Sequence, residues 1–453
     1  MSQPRQNDSL ASLSAAIPCG AEHIIRTLET NGHSAYVVGG CVRDAILGTN
    51  PHDWDICTSA TTDQVMACFE GHRVIETGLL HGTVTIFVSH APYEVTTFRV
   101  DGPYSDYRRP DAVEFTTSLE ADLSRRDFTI NAMAYSPGTG LIDPFSGVAD
   151  IKTKTIRCVG DADKRFREDA LRIMRALRFA SVLGFSIDGK TSDALLRNKG
   201  LLQNIAAERI ALELSGLLTG GSAGEVLLCN VPVIEEVIPE ITDMIGFEQN
   251  TPYHHLDVWR HTVESVTNSP AETTLRLTML LHDIAKPQCY TQTGSVGHFY
   301  GHPQASSTMA RRILSRLRYD KRTIDMVTQL IMYHDADTSP EKKHILRWLS
   351  RIGEEQYRRL LAVKKADAAA QSEGHREKAL SKYNEILLVL DQIIGERLCF
   401  SLKDLAVTGR DLVALGVPEG PEVGAMLKRL LNMVIDEEVD NDKEQLLRAV
   451  RQQ

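Results

Sequence analysis

Asp53 and Asp55 stand two residues apart in DWDICT. On an extended backbone such residues face the same side, so their carboxylates converge. Two carboxylates at one spot repel each other unless a cation sits between them. Mg²⁺ suits the pair, because it takes one or two carboxylates and completes its shell with waters and substrate phosphates. Glu94, in the β-branched run YEVTTFR, could supply a third carboxylate. Metal ions held this way lower the pKa of an attacking hydroxyl and neutralise a leaving pyrophosphate. An Asp-x-Asp alone is common on surface loops, but its neighbours are informative. Gly39 and Gly40 end AYVVGG just before the helical pattern CVRDAILG. Without side chains there, backbone N–H groups at a helix start can approach a triphosphate. Arg43, one turn on, could grip phosphate as a fork. A tight strand–helix turn explains the glycines as well, yet the two halves together are much rarer than either.

A second group could read a base. Glu168, Asp169 and Arg172 form EDxxR in a helical pattern, and residues three apart share a face. An aspartate accepting from an exocyclic amine, beside an arginine donating to ring acceptors, matches cytosine's Watson–Crick edge and, with a small reorientation, adenine's. An ordinary i,i+3 ion pair is the alternative that spacing leaves open. Arg175 and Arg178 continue the stripe. A third group is the ordered set His261, His282–Asp283, His302, His334–Asp335 and Asp367. Imidazole with carboxylate suits Mn, Fe, Ni, Zn or Mg, although any one histidine in a helical bundle reads as a hydrogen-bonded core residue.

The elements that must position these groups follow from periodicity. An amphipathic helix is expected around Ala21–Thr30, then strands at AYVV and DWDICT, and a helix capped by Thr61 or Thr62 with Asp63 in its first turn. TVTIFV and YEVTTFRV read as paired strands. From about residue 151 the spacing is helical almost to the end, with joints expected at GGSAGE near 220 and NTPYHH near 250. The chain has 453 residues, 42% hydrophobic and 24% charged, enough for two to four soluble domains. Its eight cysteines include no CxxC pair, which argues against a zinc ribbon or disulfide framework. With no signal-peptide pattern and no apolar run approaching ~20 residues, a cytoplasmic protein with no membrane partner is expected. The net charge of −10 argues against nucleic acid, but residues 151–220 hold 13 Lys and Arg against 8 Asp and Glu. That local excess fits a phosphate backbone or a solvated helix face about equally.

The order GGCVRD, DWD, YEVTTFR, SRRDFTINAMAY, DPFSG and REDALRIMRALRFA resembles the bacterial class of tRNA nucleotidyltransferases and poly(A) polymerases, within the polymerase-β nucleotidyltransferase superfamily. The resemblance runs over about residues 35–215. It implies an α+β fold: a small α/β nucleotidyltransferase head over 1–150, then an all-helical neck and RNA-binding region over 151–250. An HD domain over 251–385 and a helical tRNA-binding tail over 386–453 would follow. It also implies Asp53 and Asp55 as Mg²⁺ ligands, with Glu94 as the third catalytic carboxylate. Gly39, Gly40, Arg43 and Arg126 would meet nucleotide phosphates, and Asp127 with Asn131 would sense ribose. Asp169 and Arg172, flanked by Arg175 and Arg178, would be the protein template for CTP and ATP, with Glu208 and Arg209 bracing the neck. The segment Arg99–Phe115 resembles the loop that switches from C to A addition.

The histidine set resembles the HD phosphohydrolase superfamily over about 255–370. That implies His261, His282, Asp283 and Asp367 as ligands of a further divalent transition metal, and a hydrolase acting on damaged 3′ ends. The expected function is addition of CCA to tRNA from CTP and ATP. The alternatives are poly(A) synthesis, partial CC or A addition, or a working hydrolase carrying a relic head. The acidic ending VIDEEVDNDKEQ counts against poly(A) polymerases, which usually end in a basic extension. Oligomeric state stays open.

Overall fold

The structure is a computed structural model that describes residues 13–78, 82–102 and 113–452. The centre of the expected switching loop, 103–112, lies outside the described residues; its flanks pair as short strands. The chain forms two compact units, Met1–Pro239 and Glu240–Gln453. The fold is α+β, a mixed sheet in the first unit being followed by helices.

The first unit begins with α1 (Cys19–Thr30), β1 (Ala35–Val38), α2 (Gly40–Leu47), β2 (Ile56–Thr58), α3 (Thr62–Cys68), β3 (Arg73–Gly78), β4 (Thr83–Val88) and β5 (Ala91–Thr97). It continues with β6 (Arg99–Asp101), β7 (Val113–Phe115), α4 (Leu119–Ser124), β8 (Ala134–Ser136), β9 (Gly140–Ile142), α5 (Gly147–Lys152), β10 (Thr155–Ile156), α6 (Ala162–Glu168), α7 (Leu171–Leu183), β11 (Ser186–Ile187), α8 (Gly189–Asn198), α9 (Ala207–Thr219), α10 (Ala223–Cys229) and α11 (Val231–Val237). The main sheet runs β3-β4-β5-β2-β1-β8-β9, and only β2 and β5 pair in parallel. β2 is buried along its whole length, as a central strand covered on both faces should be. Val38, Cys57, Phe98, Leu123, Ala132 and Ala134 close the core under the sheet.

β2 is shorter than the sequence suggests, because Asp53 and Asp55 lie on its extended approach and the strand starts at Ile56. The alternation nevertheless starts early. Trp54 and Ile56 are buried, Asp53 and Asp55 are exposed, and the Asp55 carbonyl accepts the Val38 N–H at 3.0 Å. α3 is capped by Thr61 in a reciprocal box with Gln64. The turn into α2 requires a glycine: Gly39 has φ +86°, and a Cβ there would sit 3.0 Å from Arg126 Nη1.

The second unit is built from α12 (Val258–Asn268), α13 (Thr273–Leu281), β12 (Thr291–Thr293), β13 (Val296–His298), α14 (His302–Arg316), α15 (Lys321–Tyr333), α16 (Lys342–Ile352), α17 (Glu354–Ala369), α18 (Glu373–Gly395), α19 (Gly409–Ala414), α20 (Pro421–Ile435) and α21 (Lys443–Arg451). The β12–β13 hairpin departs from the helical reading. Thr293 pairs with Val296 across a two-residue loop whose first position, Gly294, has φ +63°. Gly at that position is the chemistry of a tight hairpin turn.

Gly39→Ala should lower stability by roughly 1 kcal/mol or more, through φ strain together with crowding of Arg126. Gly32, also at φ +86° but with nothing within 4 Å of an added Cβ, isolates the strain. Thermal melts should therefore fall in both alanine variants, while nucleoside-triphosphate affinity falls only in Gly39→Ala. An equal affinity loss in both would refute a phosphate-facing turn.

Candidate functional site

The register sets the first site. Ile56 on β2 lies beside Val95 on β5, which brings Asp55 next to Glu94 on the same sheet face. Close packing raises the Asp55 pKa, with Glu94 and then Asp53 adding to the shift and Arg126 opposing it. Asp53, Asp55 and Glu94 all reach solvent. The three carboxylates thus share a field in which an added cation is favoured. Arg126 extends toward them from the turn after α4. It is held by Asp122, whose carboxylate also binds Arg125 at 2.9 Å and is 1% exposed. Sequence reasoning missed Asp122; a carboxylate four residues before an arginine was the available signal.

The predicted phosphate and ribose residues form one buried network. Arg43 donates from Nε to Asp44 at 2.8 Å and from Nη1 to Asn131 Oδ1 at 2.6 Å, so its fork is turned inward rather than left open for phosphate. Asn131 donates to Asp127 Oδ1 at 3.1 Å, and Asp127 Oδ2 accepts both Nε and Nη2 of Arg175, at 2.8 and 2.7 Å. Arg178 reaches Glu213 Oε2 at 2.5 Å. The guanidinium groups of Arg43, Arg175 and Arg178 surround the Phe179 ring at 5.1, 5.2 and 4.3 Å. Each contact places a cation against a π face. Glu213 and Phe179 were not foreseen. Glu213 sits on the apolar face of α9 beside buried Ile210, Leu214 and Leu217, and a carboxylate on such a stripe was the signal for a buried partner.

EDxxR does not lie on one helix. α6 ends at Glu168, Asp169 is extended at φ −136°, ψ 103°, and α7 begins at Leu171. Asp169 accepts the Leu171 N–H at 3.1 Å just before α7, and it receives Arg209 at 3.4 Å. Arg172 is 8% exposed and pairs with Glu168 at 2.9 Å. It also donates to the carbonyls of Arg165 and Arg125. The i,i+3 ion pair is therefore absent between Asp169 and Arg172, which are each braced by a different residue. Arg209 braces as expected, through Asp169.

The second unit gathers His261 from α12, His282 and Asp283 after α13, His302 at the start of α14, His334 after α15 and Asp367 from α17. His261 Nε2 lies 2.9 Å from Asp367 Oδ1 and 3.7 Å from Asp283 Oδ2; His282 Nε2 lies 3.2 Å from the same Asp283 oxygen. Each ring turns Nδ1 toward a backbone carbonyl: Ala370 at 3.4, Met279 at 2.7, Phe299 at 2.8 and Ile331 at 2.7 Å for His261, His282, His302 and His334. This orients each ring so that Nε2 turns toward the carboxylates of the cluster. Burial opposes charge on His282, but Asp283 beside it prevails and lifts its pKa to about 10. Lys286 completes the surroundings, 2.6 Å from Asp283 Oδ2. A cavity of about 330 Å³ opens above the cluster, with Lys286, His298 and Tyr300 in its wall.

Asp127 supplies a test of the first network. Burial works against its charge, yet Arg175 and the Asn131 amide more than reverse that and hold its pKa at about 2, against an ordinary 3.8. A depressed carboxylate contributes stability that is complete above the ordinary value and is lost as pH falls through the folded one. Asp127→Asn should therefore cost about 3 kcal/mol at pH 7 and flatten the stability loss between pH 4 and pH 2. Denaturant titrations across that range would check it; a variant as stable as the parent at pH 7 would disprove the pairing.

Comparison with known proteins places this geometry. Residues 35–157 match the Poly A polymerase head domain, 184–245 an RNA and SrmB- binding site of polymerase A, and 300–450 a tRNA nucleotidyltransferase domain 2. The CCA-adding enzyme of Levilactobacillus brevis is 36% identical over 95% of this chain and 96% of its own. That of Geobacillus thermodenitrificans reaches 52% over 45% of this chain and 50% of its own. The crystal structure of the Bacillus stearothermophilus CCA-adding enzyme in complex with CTP superposes with a TM-score of 0.71 at 30% identity, covering 96% of each chain. With near-complete coverage of both sequence and structure, this chain belongs to the CCA-adding enzyme family.

Proposed function

We propose that this protein adds C, C and A to the 3′ end of tRNA from CTP and ATP, releasing pyrophosphate. The observation that carries the reading is the 36% identity to a CCA-adding enzyme across 96% of that enzyme's length, joined to the Asp53, Asp55 and Glu94 carboxylates on one sheet face. A divalent cation, Mg²⁺ by its preference for carboxylate and phosphate oxygens, lowers the pKa of the attacking hydroxyl and offsets the pyrophosphate charge when bound. Asp53 and Asp55 would hold it, with Glu94 as the third carboxylate. The tRNA 3′ oxygen bonds to the α-phosphorus as the bond to pyrophosphate breaks. Gly39, Gly40 and Arg126 face the phosphates, and Asp127 with Asn131 meets the ribose. Arg43 and Arg175 hold that pair in place by hydrogen bonds to Asn131 and Asp127, and Arg178 packs beside them on Phe179. Asp169 and Arg172 read the base, each presented by its own brace. The eight cysteines are free thiols, which suits a reducing compartment, and we place the reaction in the cytoplasm.

A second reading rests on the four rings whose Nε2 atoms converge on Asp283 and Asp367. His261, His282 and Asp283, with Asp367 Oδ1 2.9 and 3.6 Å from the two rings, suit a divalent transition metal. We infer a metal-dependent phosphohydrolase there, and turnover of a 2′,3′-cyclic nucleotide with Ni²⁺ or Mn²⁺ tests it. No turnover by the full chain under either metal would remove this reading.

Given tRNA that lacks CCA, the purified protein should add three nucleotides with CTP and ATP and then stop. A long A tract, or arrest after one or two additions, would overturn the assignment in favour of poly(A) or partial synthesis. Asp55→Asn should slow transfer about a thousandfold or more while tRNA retention on filters stays close to the parent. Arg172→Ala should relax the preference for CTP and ATP over UTP and GTP, and Glu168→Gln should relax it less, because it removes only the brace. Unchanged selectivity in Arg172→Ala would sink the template role.

A further inference from the structure

We propose that the stacked rings of His298 and Tyr300 are a nucleobase platform at the cavity of the second unit. The cavity would then take a nucleoside 2′-phosphate or 2′,3′-cyclic phosphate, free or at an RNA strand end, in preference to an ester without a base. The inference rests on the phosphohydrolase reading above and adds residues that the HD resemblance did not assign.

The platform comes from the hairpin that interrupts the helices. His298 and Tyr300 stand two residues apart where β13 runs out toward α14. Their rings lie 5.3 Å apart at an interplanar angle of 10°, an offset parallel stack. Phe299, between them, packs instead on Tyr290 at 5.5 Å and beside the Lys286 ammonium at 5.4 Å. Tyr300 is 77% exposed. A ring backed by a neighbour on one face and open to water on the other is what a stacked base requires.

The hairpin is pinned from behind, which presets the ring. The Gly297 N–H donates to the Asn250 carbonyl at 2.9 Å, and the Asn250 amide donates to the Tyr290 hydroxyl at 3.1 Å. A Cβ on Gly297 would collide with the Gln249 carbonyl oxygen and with the Tyr290 ring, so only glycine allows this close approach. Tyr290 in turn meets Phe247 edge-on at 5.3 Å. A ring held this way loses little freedom when a ligand covers it.

Volume and charge set what lies where. At about 330 Å³ the cavity is at the small end for a ligand pocket. Lys286 in its wall draws a phosphate inward, so a ribose phosphate fills the interior and the base is left at the mouth, against Tyr300. Tyr253, 50% exposed and edge-on to His375 at 4.5 Å, is a second ring in the wall. Stacking is indifferent to which base is offered, because every base has a π face, so no single nucleoside should be preferred.

Photolabelling reads the platform without turnover. The full chain is irradiated with 8-azidoadenosine 2′-monophosphate, and the labelled peptides are mapped. Label is expected on the peptide holding His298 and Tyr300, separate from any in the first unit, and it should fade in Tyr300→Ala. Label confined to the first unit would overturn the platform. Turnover is the second arm, with Ni²⁺ or Mn²⁺ and three esters. These are adenosine 2′,3′-cyclic phosphate, an oligoribonucleotide ending in that group, and glycerol 1,2-cyclic phosphate, which has no base. Tyr300→Ala should raise KM about tenfold or more for the two that carry a base and leave the third unchanged. Tyr300→Phe should restore the parent value, and CCA addition by both variants should match the parent. An equal change for all three esters, or for none, would overturn the proposal. Equal KM values for the first two would assign the platform to free nucleotides, and a lower value for the strand to RNA ends. Were no ester turned over by the parent, the phosphohydrolase reading would fall, and the photolabel would still decide the platform.

Discussion

The carboxylate of Asp127 sits between two demands that the rest of the first unit must reconcile. It is buried at 8% exposure, which disfavours charge, and it has to remain an acceptor to orient Asn131. Arg175 resolves the conflict by donating two hydrogen bonds to one oxygen, leaving the other for Asn131 and the Phe128 N–H. Arg175 is in turn steadied by Phe179 and shares the neighbourhood of Glu213 with Arg178. The result is a run of alternating charges from α9 through α7 to the turn after α4, ending at Arg43 on α2. Removing any internal member leaves a partner buried and unpaired, which is costlier than losing the contact itself. The α7 helix, which carries Arg172, Arg175 and Arg178, is therefore fastened to the sheet by charge as well as by apolar packing.

Much of this was legible in the residues. The alternation around Trp54 gave the common face of Asp53 and Asp55, the Gly39–Gly40 pair gave the turn, and Thr61 with Gln64 gave a helix start. These are local properties, fixed by neighbours within a few positions. What stayed hidden depends on partners far away in the chain. Arg43 read as a phosphate fork from its place one turn after Gly39 and Gly40; Asp44 beside it and Asn131, 88 residues on, take up its guanidinium. Asp169 and Arg172 read as partners because three-residue spacing on a continuous helix puts them together, and the break at Asp169 removes that premise. The order of motifs, more than any single spacing, pointed to the right family.

The second unit solves a different problem. Four imidazoles approach from four segments, and each is aimed by the last or first carbonyls of a helix or turn rather than by another side chain. His282 and His334 each turn Nδ1 back to a carbonyl three residues earlier, at the ends of α13 and α15, where carbonyls lack an intrahelical donor. Lys364 then fastens the end of α15 from below by donating to the carbonyls of His334 and Ala336. Rings held to backbone in this way need no neighbouring acid to set their orientation. His302 and His334 stood in the ordered histidine–aspartate set, but nothing within a few residues of either fixed the direction of its ring.

The break between α6 and α7 has a consequence for how such a protein can change over time. Because Asp169 belongs to the joint and Arg172 to the following helix, the gap between them depends on how one rod is set against another. Asp53 and Asp55, on the approach to β2, and Glu94, on β5, do not share that degree of freedom. A lineage could thus revise the spacing of Asp169 and Arg172 by altering a joint, and leave the three carboxylates where they are.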